Sequence, residues 1–161
     1  MPRSADDPVF ALHRYFLWAN RMREHFDEVL RRVKPGGLVF ASEEFIESYL
    51  YMSYWYGGLY VVAEGWNALG LTDPEIDGLL ATRTGRRIEG PRKERGEPAE
   101  LVDETVLDVL KRYRNGAFHF QRDYFDNRFL EFMKLDQSAS WARALNRAFG
   151  RYFLEWFKQP A

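Results

Sequence analysis

Apolar residues recur every three or four positions along almost the whole chain, the spacing of amphipathic helices, and no alternation of period two lasts long enough to predict a strand. The first such segment covers residues 8–34. Leu12, Tyr15, Trp18, Met22, Phe26, Val29 and Val33 form its predicted core stripe, and Pro35-Gly36-Gly37 stops it. The second covers residues 42–69, with Ser42 as N-cap, Glu43 and Glu44 set against the helix dipole and Gly70 as the C-terminal stop. From Ser48 to Ala63 this helix carries no charge and is apolar around most of its circumference, so it has to be covered on several sides. The stretch is shorter than the ~20 residues that cross a bilayer and holds several tyrosines, so it is expected to be buried in protein, with no membrane span.

Thr72-Asp73-Pro74-Glu75 reads as a capping box with proline just inside the start of a short third helix, ending near residue 83. A Gly- and Pro-punctuated stretch at 84–98 reads as a loop. A fourth long helix is expected from about Ala99, with Val102, Val106, Val109, Tyr113, Ala117 and Phe120 facing the core. A short helix over 129–134 and a last one over 138–157, striped by Trp141, Leu145, Phe149, Tyr152 and Trp156, complete the pattern. The expectation is one all-α domain over residues 1–161, an up-and-down helical bundle with a single long basic loop.

Composition narrows the chemistry. The chain has 161 residues, 46% of them apolar and 17% aromatic, enough to bury a real core. It has no cysteine, which removes disulfides, thiolate catalysis and cysteine-based metal sites, and no cofactor or metal site is expected. The polar, proline-broken start does not read as a signal peptide, so the expected location is cytoplasmic. A formal net charge of −1 gives no overall attraction to nucleic acid. The charge is unevenly spread, however: Arg83, Arg86, Arg87, Arg92, Lys93 and Arg95 crowd one short segment, opposed only by Glu89 and Glu94. That loop is a candidate arm for tracking an RNA backbone through Arg86, Arg87, Arg92 and Lys93.

The run from Arg114 to His119 carries the most pointed chemistry. Arginine stays charged at any working pH and grips phosphate with two parallel hydrogen bonds. Histidine can take or give a proton near neutrality. On a helical wheel Asp108, Arg112, Asn115 and His119 fall on one polar strip, with Arg114 on the other flank of the apolar stripe. His13 and His25, twelve residues apart on the first helix, form no metal-ligand spacing and are expected to be structural or solvent-facing.

Arg114-Asn115-x-x-x-His119 resembles the signature of the HEPN superfamily, an arginine, a polar residue and then a histidine four to six residues after the arginine. The resemblance implies a helical bundle, usually dimeric, with the motif on a late helix. It also implies metal-independent endoribonuclease activity of the kind found in toxin–antitoxin, defence and RNA-processing systems, with two copies of the motif sharing one composite cleft. In that chemistry the RNA 2′-hydroxyl attacks the phosphate. His119 would serve as general base or acid, Arg114 would neutralise the developing charge, Asn115 would orient His119 or hydrogen-bond a phosphate oxygen, and Arg112 would bind RNA. A homodimer, RNA and an antitoxin-like protein are the partners so implied. The alternative is a non-catalytic helical dimer that uses the same surface to bind a protein partner or a nucleotide.

Overall fold

A computed structural model describes residues 7–34, 37, 42–89, 100–118 and 138–158. Among these, the chain forms α1 (Pro8–Arg32), α2 (Glu43–Ala68), α3 (Pro74–Leu80), β1 (Arg83–Glu89), β2 (Leu101–Thr105), α4 (Val106–Phe118) and α5 (Ser138–Lys158). The structure is thus mostly helical, as expected, but with a small two-stranded sheet added. No helix among the described residues is long and apolar enough to cross a membrane. The short helix expected at 129–134 lies outside the described residues.

α2 is the hub. Ser42 caps it, its hydroxyl accepting from the Phe45 amide at 3.2 Å. Its other end closes on Gly70 at φ +62, with the Gly70 and Leu71 amides returning to the carbonyls of Asn67 and Trp66. That pair of bonds is the Schellman arrangement, which needs the left-handed conformation glycine adopts without penalty. Trp55, Tyr56, Leu59, Val62, Ala63 and Trp66 are all fully buried. Tyr56 meets Tyr113 of α4 edge-on at 4.6 Å, and Trp66 meets Phe149 of α5 at 5.6 Å. An apolar circumference is what a helix surrounded by neighbours requires.

α1 packs on α2 with almost no gap. A Cβ added to Gly58 would lie 2.9 Å from the Cβ and 3.2 Å from the Cα of Ala19, so backbone meets backbone there. A Cβ added to Gly65 would meet only the tip of the Leu12 side chain, at 2.6 Å. The two glycines should therefore respond differently. Gly58→Ala must push the helices apart and should cost about 1–3 kcal/mol. Gly65→Ala lets Leu12 rotate and recovers up to about 1 kcal/mol of helix propensity, so it should be close to neutral. Urea midpoints of the two variants check this, and equal losses would contradict it.

Three expectations need correction. The cap of α3 is Asp73, not Thr72: its carboxylate accepts from the Glu75 and Ile76 amides, while Asp77 accepts from the Asp73 amide. Tyr15 and Trp18 are exposed rather than core, because the buried stripe of α1 is Val9, Leu12, Phe16, Ala19, Phe26 and Val29. The third concerns the stretch at 84–98. Its first residues form β1, which pairs antiparallel with β2, Arg87 opposite Asp103 and Ile88 opposite Val102. The register shifts between Arg83 and Arg87, where Gly85 sits at φ +77 in an irregular, bulged segment. α4 accordingly begins at Val106, not near Ala99, and Val102 is an exposed strand residue instead of a core position of α4. The start is set by a capping box the expectation missed. Thr105 and Asp108 satisfy each other's amides, at 2.9 Å (Thr105 amide to Asp108) and 3.3 Å (Asp108 amide to Thr105).

Candidate functional site

The Arg–Asn motif sits near the C-terminal end of α4, directly after Tyr113, the residue that anchors this helix on α2. Arg114 and Asn115 are both half-buried, and the Arg114 guanidinium donates to Asn115 Oδ1 at 3.0 Å. The amide thus holds the arginine on the helix surface, a positioning role toward Arg114 rather than the expected one toward His119 or a phosphate oxygen. His119 lies outside the described residues, so its distance from Arg114 is not part of this geometry.

α2 brings two further groups to the same region. Tyr60, one turn beyond Tyr56, is half-buried and hydrogen-bonded to Glu64. Burial, then the nearby Glu64 carboxylate, raises the Tyr60 phenol above its ordinary pKa, while the Arg114 cation acts in the opposite sense. Tyr60 is therefore a neutral donor close to Arg114. Sequence reading missed it, because Tyr60 stands in a run of apolar and aromatic residues and nothing in that run marks which tyrosine faces α4. Glu64 is exposed. The cluster thus offers a fixed cation, an amide, a phenol and a carboxylate, a set able to bind and polarise a phosphodiester.

Arg112 does something else. Its guanidinium is paired with Glu104, a fully buried carboxylate on β2, and the other oxygen of Glu104 accepts from the Thr84 hydroxyl at 2.8 Å. This triad ties α4 to both strands. Arg112 is thereby committed at least in part to the hairpin. Asp108, another expected member of the polar strip, is occupied as the helix cap.

Of the four residues expected to contact RNA from the basic segment, Arg86 and Arg87 lie on β1, and Arg92 and Lys93 lie outside the described residues. Arg87 is exposed and donates to the Leu101 carbonyl at 2.9 Å, while Arg86 is half-buried. Arg83 pairs with Asp103 across the strands at 2.9 Å. The described basic side chains, Arg83, Arg86 and Arg87, are therefore carried by β1, a strand that the Glu104 triad fastens to α4.

Compared with models of known families, with curated proteins and with solved structures, the chain shows no match to any of them.

Proposed function

We propose that this chain is a HEPN-like, metal-independent endoribonuclease of the cytoplasm, acting as a homodimer, in which Arg114 stabilises the transition state and His119 transfers the proton. The observation that carries this reading is the placement of Arg114 and Asn115. They stand on a late helix of a mostly helical chain, hydrogen-bonded to each other, beside the Tyr60 and Glu64 pair of α2. RNA supplies its own nucleophile, so the protein has to remove the 2′-proton, neutralise the phosphorane and protonate the leaving 5′-oxygen. Two histidines, one per subunit, divide the acid and base roles. The basic β1–β2 hairpin supplies phosphate contacts without reading bases. A toxin or defence role, held in check by an antitoxin-like protein, fits such an activity.

The test is incubation of mixed RNA with wild type and His119→Ala, with and without EDTA. Cleavage that survives EDTA, spares a 2′-deoxy substrate and vanishes in His119→Ala supports the reading. Cleavage stopped by EDTA, or equal cutting of the deoxy substrate, overturns the mechanism.

The dimer has its own support. Ile46, Leu50 and Tyr54 are exposed at four-residue spacing along α2, and Trp18, 57% exposed, stands on α1 beside Tyr54 along the same shallow cleft. Such a strip exceeds the isolated exposed hydrophobics normal for a monomer. Trp18→Glu with Tyr54→Glu should convert the dimer to a monomer in light scattering while keeping the helical circular-dichroism signal of the folded chain, since neither side chain is in the core. A wild type that is monomeric at high concentration would remove the dimer and the composite cleft together.

One observation favours the second reading, a non-catalytic dimer that binds a protein or a nucleotide. Arg114 and Arg112 both spend hydrogen bonds inside the chain. No RNA cleavage under any of these conditions would select it.

A further inference from the structure

α1 and α5 leave an open groove of about 780 Å³ between them. This volume falls in the ~300–1,000 Å³ range of sites that hold small molecules. The two helices run antiparallel, Asn20 Oδ1 accepting from Asn146 Nδ2 at 2.9 Å at one end, and His13 standing 4.7 Å from Phe157 at the other.

The groove is polarised along its length. Its Asn20–Asn146 end carries most of the charge. There Arg23 and Arg143 share Asp27, and these bonds, Arg143's first, hold the Asp27 carboxyl below its ordinary pKa. Arg151, further along α5, is turned to Glu75 of α3. Three of the four lining arginines are thus paired with carboxylates, Arg23 and Arg143 sharing one. The fourth, Arg147, is exposed and makes no hydrogen bond or ion pair with any described residue. The opposite end is apolar. Phe16 and Phe153 form its floor, Leu17 and Leu154 stand 50% and 62% exposed on its walls, and Phe157 closes it. His13 adds no charge there, since burial lowers its pKa.

We propose that this groove binds a small amphipathic anion, an acyl or alkyl chain lying against Leu17, Phe153, Leu154 and Phe157 with its carboxylate or phosphate head on Arg147. Ten residues separate Arg147 from Phe157 on α5, about 15 Å of helix, which accommodates a medium-length chain. An arginine fork matches either head with paired, charge-assisted bonds. The network beneath is already satisfied: Asn146 is buried, donating to Asn20 and accepting from Trp55 at 3.2 Å. The head therefore meets Arg147, the one lining arginine not paired with a carboxylate among the described residues, above side chains whose hydrogen bonds are already made. Gly150 keeps the middle of the groove open, since it projects no side chain where the ligand crosses from head to tail. This site is independent of the α4 motif, and its test reads binding alone.

The experiment is calorimetric titration of wild type and Arg147→Gln with decanoate, decyl phosphate and decanol, all below their aggregation concentrations. Wild type should bind decanoate or decyl phosphate saturably at one site per chain, about tenfold or more tighter than decanol. Arg147→Gln should lose that preference while binding decanol as before. Leu154→Asp should weaken all three, and both substituted side chains are exposed, so both variants should keep the wild-type melting temperature. The two anions distinguish which head the site prefers. Equal affinity for decanol and the anions in wild type, unsaturable binding, or undiminished anion binding by Arg147→Gln would overturn the proposal.

Discussion

Arg114→Ala should slow RNA cleavage about 100-fold or more, the scale of removing a main donor to a charged transition state. The loss should fall on kcat, since the charge it meets develops only as the phosphorane forms. Arg114→Lys should restore part of it, because a point charge replaces the cation but not the planar fork. Asn115→Ala should give a smaller loss of the same kind, as the guanidinium would no longer be held by the bond at 3.0 Å. Folding should be spared in each case, because both side chains are only half-buried at the edge of the helix packing. Products should end in 2′,3′-cyclic phosphate, and activity should follow a histidine-like ionisation near neutrality. An Arg114→Ala protein that cleaves at the wild-type rate would place the reaction elsewhere and leave the α4 cluster as a binding surface.

Helices were legible in the sequence wherever a cap and an apolar stripe coincided. Ser42 with Gly70 bounded α2 to within a residue, and the final stripe placed α5 equally well. Which face of a helix is buried was less legible. In α1, Tyr15 and Trp18 satisfy the same three-and-four spacing as Leu12, Phe16 and Ala19, and it is packing partners distant in sequence, Gly58 against Ala19 and Gly65 against Leu12 among them, that accompany the inward turn of the second set. The hairpin was hidden for a different reason. β1 contains a single large apolar residue, Ile88, and an irregular register at Gly85, so it shows no period-two signal. Leu101 and Val102 precede Val106, Val109 and Leu110 at spacings a helix also allows. Thr105 and Asp108 were the available sign that the helix starts later, and the basic composition just upstream drew the reading toward a loop. At the candidate site, Arg114 and Asn115 were legible as a motif, whereas Tyr60 and Glu64 belong to it only through the packing of α2 on α4.

The largest stability effect is expected at Arg112, not at the residues of the motif. Glu104 is fully buried, and its two oxygens are served by Arg112 and Thr84. Arg112→Ala removes the only cation paired with that carboxylate among the described residues and should cost about 3–5 kcal/mol, the range for stranding one member of a buried pair. Glu104→Ala should cost less, because the Arg112 side chain is 30% exposed and its guanidinium can turn toward water. Glu104→Leu combined with Arg112→Met should recover most of the loss, since an apolar pair of similar volume carries no desolvation penalty. Urea unfolding of the two single variants and the double variant gives the coupling energy directly. The double variant also separates Arg112's two possible roles. If it folds and binds RNA as wild type does, Arg112 serves the hairpin alone; if it folds and binds RNA more weakly, with a flatter salt dependence, Arg112 touches phosphate as well. Near-equal stability of Arg112→Ala and wild type would mean that water reaches Glu104 readily and that the hairpin is held to α4 by other contacts.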